Sequence, residues 1–360
     1  MVVSAVEKSK SAKVMTSKNE NVVCLDAGNG YFKLVGPSGQ HISFVAAVKK
    51  LKSYEVDDIA EVGPNSALVT LEGQVYAFGE LAKHLGGQSL FEAGKIGNTP
   101  VAVAAALALL GITEGSVKVR LLVPDAAKAE WRGAAKALPN QLTDFHARVG
   151  GGEFQRFGPK VEVQLVSEGY PVWHWATTTN QIPAALVNRP LIGVIDAGTG
   201  DLTCSVWNPS GNVVRSAGAG SGQVTFSTGA MKELAGQIGA GFAHLCQHTP
   251  DRGMILDIIR EQAQVPVEDR RYVYEERGIP HSFTGIFQDA VKEWNHALML
   301  RLQQDNWAQV LSQLSMVFIV GGACDLLAPM EAATKGRFKV VRLPYTEAQL
   351  TNAQLMTLMA

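Results

Sequence analysis

The chain has 360 residues, 46% hydrophobic and 18% charged, which is apolar content enough for two domain cores rather than one. Its 32 basic and 33 acidic residues nearly cancel, which excludes a whole-molecule field that draws it to nucleic acid or an anionic membrane. Its four cysteines (Cys24, Cys204, Cys246, Cys324) form no C-x-x-C pair, which argues against a zinc ribbon or redox motif and for a reducing cytoplasm.

The first twenty residues are rich in Lys and Ser and lack an apolar run, the pattern of a flexible tail rather than a signal peptide. Val22–Leu25 and Tyr31–Val35 read as the strands of a hairpin, with a glycine turn and Asp26 at its tip. "GQHISFVAAV" suggests one more strand, and "ALVTLEGQVYAFG" a hairpin turning at Glu72–Gly73. "ELAKHL" starts a helix. An alanine-rich helix is predicted from Thr99 to Leu110, with Pro100 in its first turn; its apolar run is too short to span a bilayer. "SVKVRLLVP" is a strand, "DAAKAEWRGAAKAL" an amphipathic helix capped by Asp125, and "GGEFQRFGPKVEVQLVSEG" one or two strands. "YPVWHWATTT" then leads into a helix.

The opening theme returns from Arg189. A strand, an acidic glycine turn, a second strand, a turn at 208–211 and a third strand follow one another. "FSTGAMKELAGQI" is a helix, and a polar helical region runs from about 250 to 315, within which 268–278 reads as a solvated helix face. "MVFIVGGACDLLAPM" is a buried strand running through a Gly-Gly turn into a helix, "FKVVRLP" a last strand and "TEAQLTNAQLMTLMA" a last helix. The pattern predicts a duplicated α/β plan whose halves meet near 176–190.

The repeat centres on "LDAGNG" at 25–30 and "IDAGTG" at 195–200. A glycine turn between strands exposes backbone N–H groups that cradle phosphate oxygens, and without a Cβ the ligand comes close. An aspartate beside such a cradle would repel phosphate unless it faces Mg²⁺, usually through the ion's retained waters. Gly321 and Gly322 stand where a strand meets a helix, a usual ligand position in open α/β sheets. "GAGSGQ" at 218–223 follows a hairpin strand and lacks the acidic residue of a dinucleotide fingerprint, and no P-loop pattern is present.

"DAGNGYFK", "DAGTGDLT" and "IVGGACDLL", in this order, resemble the two phosphate motifs and the adenosine motif of the actin-like ATPase superfamily. "GQVYAFGELA" and "VSEGYPV" resemble its bacterial ParM/StbA type. The resemblance covers roughly residues 21–355. It implies a two-domain actin-like fold, a duplicated RNase H-like α/β fold with an interdomain nucleotide cleft. The expected divisions are a tail over 1–20, domain I over 21–180, domain II over 181–345, and a C-terminal helix over 346–360 returning to domain I. The implied ligands are ATP and Mg²⁺. Asp26 and Asp196 would hold the metal through water. Gly28, Asn29, Gly30 and Lys33 would meet the phosphates from one side, and Gly198, Thr199, Gly200 and Asp201 from the other. Gly321, Gly322 and Ala323 would lie along the adenosine. Glu168 would orient the attacking water, a duty that suits a carboxylate. The chain departs from many relatives at Thr203, where they carry Asp or His, and this places the hydrolysis rate in question.

The implied function is ATP-driven assembly into cytoplasmic filaments that segregate plasmid DNA. A DNA-binding adaptor would make the link, with no direct contact to nucleic acid or membrane. The rivals are a small-molecule kinase of the same fold and a nucleotide-binding scaffold that does not polymerise. His244 and His248, one helical turn apart, lack an evident third ligand and read as structural. "WHW" at 173–175 reads as aromatic packing or a subunit contact. By the same resemblance, a residue of 250–276 would flank the base.

Overall fold

The computed structural model describes residues 21–28, 30–90, 93–183, 186, 189–214, 223–226, 231–246, 250–304, 310–333, 339–343 and 351–359. The first half runs β1 (Asn21–Ala27), β2 (Tyr31–Val35), β3 (His41–Val45), β4 (Ala47–Lys50), α1 (Ser53–Asp57), β5 (Ser66–Leu71), β6 (Gln74–Gly79), α2 (Glu80–His84), β7 (Gln88–Ser89), α3 (Lys95–Leu109), β8 (Ser116–Val123), α4 (Ala129–Gln141), β9 (Phe145–Arg148), β10 (Gln155–Phe157) and β11 (Lys160–Ser167). The linking helix α5 (Tyr170–Thr178) follows. The second half runs β12 (Leu191–Ala197), β13 (Leu202–Trp207), β14 (Gln223–Phe226), α6 (Met231–Cys246), α7 (Arg252–Ala263), β15 (Val273–Glu276), β16 (Ile279–Ser282), α8 (Thr284–Gln304), β17 (Leu314–Val320), α9 (Ala328–Ala333), β18 (Lys339–Arg342) and α10 (Thr351–Thr357).

Two five-stranded sheets share one topology. The order β3-β2-β1-β8-β11 in the first half is matched by β14-β13-β12-β17-β18 in the second. In each, three strands form an antiparallel meander and two more join in parallel. The registers also correspond: Asp26 pairs across the hairpin with Lys33, and Asp196 with Thr203. The first half adds a second sheet, β10-β9-β5-β6-β4-β7. Its β5–β6 hairpin turns through Glu72 (φ 50) and Gly73 (φ 75), the left-handed pair that a tight two-residue hairpin needs.

The alanines of α3 let that helix bury itself in a core shared with β1, β2, β8, β5 and β6. Phe32, Phe44 and Phe78 meet there with ring centroids 5.3–5.7 Å apart. A separate core lies between the second sheet and helices α6, α7 and α8. Two helices tie the halves together. Val172, Trp173 and Ala176 of α5 pack on Ile192, Val194 and Phe318 of the second sheet. Ala353 and Met356 of α10 pack with Cys24, Val35, Leu122 and Val166 of the first. The buried Arg120 clips α10 in place, donating from Nη1 to the Met356 carbonyl at 2.6 Å.

Several local expectations need correction. α3 starts at Lys95, so Pro100 lies in its second turn and forgoes the bond to the Ile96 carbonyl. α4 is preceded by Lys128 as N-cap; Asp125 instead accepts from the Ala127 amide at 2.9 Å, closing a turn after β8. The run 268–278 is not a helix face, because β15 and β16 form a hairpin turning at Arg277 (φ 50) and Gly278 (φ 80). Tyr272 and Tyr274, two residues apart, both reach the core, a strand period. "GQHISFVAAV" holds two strands, since the chain leaves the first sheet at Ala46 and β4 joins the other. β9 was not expected. The "WHW" segment is packed: Trp173 lies 6.5 Å from Trp207, and Trp175 5.7 Å from Phe318. The tail 1–20, most of 218–223, His248 and the side chains of His244 and Cys246 lie outside the described residues. Among the described residues no helix is long and apolar enough to cross a membrane.

Candidate functional site

Each sheet ends its central strand with Asp-Ala and turns through glycine. A Cβ on Gly28 would lie 2.7 Å from the Tyr31 carbonyl oxygen. A Cβ on Gly30 would lie 2.5 Å from Thr199 Oγ1, so the two hairpin tips touch and only glycine permits the contact. In the second turn the Gly198 amide donates to the Asp201 carbonyl at 3.0 Å. Gly321 (φ 93) follows β17, and a Cβ there would strike Ala197 and lie 2.6 Å from Asp196 Oδ1. Its glycine lets the third motif pack behind the second.

Asp26, Gly28, Gly30, Lys33, Glu168, Asp196, Gly198, Thr199, Asp201 and Gly322 thus line one cleft between the halves. Gly200, Gly321 and Ala323 are not in the lining, and Ala323 is buried in the second core. Asn29 lies outside the described residues. Tyr31, Lys95, Met231 and Arg260 also line the cleft, and sequence patterns gave no sign of them except that Arg260 falls within 250–276. The cavity measures about 50 Å³. That holds a few waters or an ion.

Four carboxylates face this small space against few cations. Lys33 Nζ sits 3.0 Å from Asp26 Oδ2, with both side chains largely buried. Burial alone would lower the Lys33 pKa, but Asp26, Asp196 and Glu168 outweigh it and hold the ammonium above its ordinary value. Burial pushes Glu168 up to about 8; Asp201 and Asp196 add to the rise, while Lys95 and a hydrogen bond from Thr203 oppose it. Burial likewise pushes Asp196 up to about 6, with Asp26 and Asp201 adding and Lys33 and Asn352 opposing. Such carboxylates are poised to take a proton or a cation.

Glu168 reaches this place because β11 ends beside β13. Thr203 Oγ1 donates to Glu168 Oε2 at 2.6 Å. The next residue, Gly169 (φ 87), presses so close to Ser205 and Trp207 that a Cβ would collide with both. At the mouth, Arg260 of α7 stacks 4.8 Å from the Tyr31 ring, donates to Thr199 Oγ1 at 3.3 Å and pairs with Asp257 at 2.9 Å. Asp257 also lies 3.6 Å from Lys83 of α2, linking the two halves across the opening. Among the described residues no three His, Cys, Asp or Glu side chains gather in direct metal-ligand geometry.

No protein-family model matches the sequence, and no curated protein does. Solved structures match well. An archaeal actin homologue, Ta0583, aligns with a TM-score of 0.71 at 14% identity, over 93% of this chain and 97% of its own. The chain has the actin-like fold. Ta0583 in complex with ADP aligns at 0.69 and 15% identity, over 93% and 97%. The ParM of a 15-stranded filament from Clostridium botulinum aligns at 0.65 and 14%, over 95% of this chain and all of that one. Within an actin-like frame, the cleft described above lies between the two duplicated sheets.

Proposed function

We propose that this protein is an ATPase that binds ATP with Mg²⁺ in the cleft and assembles head to tail into dynamic filaments. The observation that carries the reading is the meeting of the two Asp-Ala-Gly turns at Gly30 and Thr199, which gathers Asp26, Asp196, Glu168 and Lys33 around one cavity. The ADP complex of the archaeal homologue and the ParM filament support it.

The donor set suits a divalent cation. Asp196 and Glu168 are buried carboxylates with raised proton affinity, so positive charge in the cavity stabilises them. Asp26 and Asp196 would hold Mg²⁺ through its waters, and the ion when bound would offset phosphate charge. The amides of the two glycine turns, around 28–30 and 198–200, would grip the phosphates from opposite halves, and Asp201 would add a water-mediated contact. Lys33, now on Asp26, would turn towards them as a point charge. Of the third motif, Gly322 lines the cleft and would flank the adenosine, while Gly321 and Ala323 would support it from behind. Arg260 supplies the contact expected from 250–276. Glu168, held by Thr203, would orient the attacking water and accept its proton once a bound cation keeps the carboxylate ionised.

Residues of both halves line the cleft, so nucleotide binding there would be coupled to the angle between them. Assembly that depends on this angle makes the filament sensitive to the nucleotide state, and head-to-tail contacts that do not close give open polymers. Plasmid segregation in the cytoplasm through a DNA-binding adaptor fits the near-neutral charge.

Right-angle light scattering with ATP, with ADP and without nucleotide, run beside phosphate release, tests the reading. Scattering that rises only with ATP is expected; no rise overturns the filament. Glu168→Ala should bind nucleotide yet lose most phosphate release, and wild-type release would remove Glu168 from the chemistry.

A further inference from the structure

The two aspartates of the cleft are supported differently. In the first hairpin the residue paired with Asp26 is Lys33, and it makes the ion pair. In the second hairpin the residue paired with Asp196 is Thr203, and its hydroxyl is spent on Glu168. Asp196 is instead held from outside its own hairpin. Asn352, in the first turn of α10, donates from Nδ2 to Asp196 Oδ2 at 2.5 Å. The bond spans 156 positions of sequence and joins a helix packed on the first sheet to a strand of the second.

The other end of the same amide has no such bond. Asn352 is 4% exposed, and its Oδ1 is buried with no hydrogen-bond partner among the described residues. Leaving a buried acceptor unsatisfied is costly, and native structures rarely do so without a reason. The amide orientation is fixed by chemistry, since turning it over would set Oδ1 against a carboxylate oxygen. An acceptor next to a carboxylate of this cleft fits one class of partner, a donor such as an ordered water.

We propose that Asn352 is a positioning residue for the divalent cation: from behind the cleft wall its Nδ2 fixes the Asp196 carboxylate that would hold the ion, and an ordered water would satisfy its buried Oδ1. This rests on the reading of the cleft as a Mg²⁺–nucleotide site. Outer partners of this kind commonly change metal affinity by about 10–100-fold when lost. A neutral amide suits the task. A lysine there would compete with the cation for Asp196, as Lys33 competes for Asp26 until phosphate draws it away. The arrangement also makes the seating of α10, clipped by Arg120, a condition for a well-formed metal site.

The test is a fluorescent-ATP titration of the full chain with Mg²⁺ and with EDTA, together with a Mn²⁺ titration followed by electron paramagnetic resonance. In Asn352→Leu, of similar volume, nucleotide affinity in EDTA should match wild type. The gain on adding Mg²⁺ should fall about tenfold, and Mn²⁺ binding in the presence of nucleotide should weaken by a similar factor. Should the leucine variant fail to fold, Asn352→Ser, which leaves room for a replacement water, carries the same expectation in a smaller degree. A folded variant with wild-type Mg²⁺ gain and Mn²⁺ affinity overturns the inference. Wild-type protein that binds no nucleotide in either condition overturns the cleft reading instead, so the two failures are distinct.

Discussion

The β1–β2 and β12–β13 hairpins occupy equivalent places in two sheets of one topology, yet they solve the same electrostatic problem in different ways. Each sets an aspartate at the end of a central strand, facing the other across a narrow cavity. The first neutralises its aspartate locally, with Lys33 seven residues on. The second has Thr203 at that position, its hydroxyl spent on Glu168, and Asp196 draws its support from Asn352, far away in sequence. A duplicated backbone therefore does not imply duplicated chemistry. The first hairpin is self-sufficient, and the second depends on the halves being docked.

The sharpest way to break this contrast is to make the first hairpin like the second. Lys33→Thr leaves a buried carboxylate without its cation and should cost about 3–5 kcal/mol in urea denaturation. A loss below about 1 kcal/mol would mean that Asp26 finds other support. The tips come next. Gly30→Ala forces a methyl against Thr199 and should cost about 2 kcal/mol. Most of that should return in the double variant with Thr199→Gly, read as a double-mutant cycle; purely additive losses would show that the tips do not press on each other.

Third is pH. Glu168 and Asp196 bind protons more tightly folded than unfolded, with pKa values of about 8 and about 6 against 4.5 and 3.8. Between about pH 4 and 8 the native state keeps protons that the unfolded chain has released. Stability without metal or nucleotide should therefore be greatest at the acid end of this window and fall as pH rises through it. Chemical denaturation at pH 5, 6.5 and 8 checks the sign, and a rise with pH would contradict the packing around Glu168. The smallest effect belongs to Thr203→Val. Removing the hydroxyl should cost about 1 kcal/mol. Because that bond holds the Glu168 pKa down, the upper end of the pH transition should also move higher.

Sequence reading recovered what is local. The Asp-Ala-Gly turns, the strands beside them and the Gly321–Gly322 corner announce themselves through glycine, an acid and apolar runs within ten residues. Arg260, Lys95 and Asn352 carry no such signature, because a polar residue on an ordinary helix looks the same whether it faces water or a cleft. Only tertiary packing brings them to the site. The 268–278 run shows a different cause. Its mixed charges suggest a helix surface, but alternating Tyr272 and Tyr274 with an Arg-Gly turn encode a hairpin. Asp125 was the obvious cap residue by type, yet a turn ending at Ala127 claimed its side chain first.

The seam between the halves also carries its own optical label. Trp173 on α5 and Trp207 on β13 lie 6.5 Å apart at a 30° tilt, with the Tyr170 ring 5.3 and 5.6 Å from them. Tyr170 packs against the apolar clusters of both halves. Rings this close share their electronic transitions, so their near-ultraviolet circular dichroism follows their relative orientation. The seating of α5 on the second sheet can thus be watched in solution on the unlabelled protein, which serves as its own spectrometer.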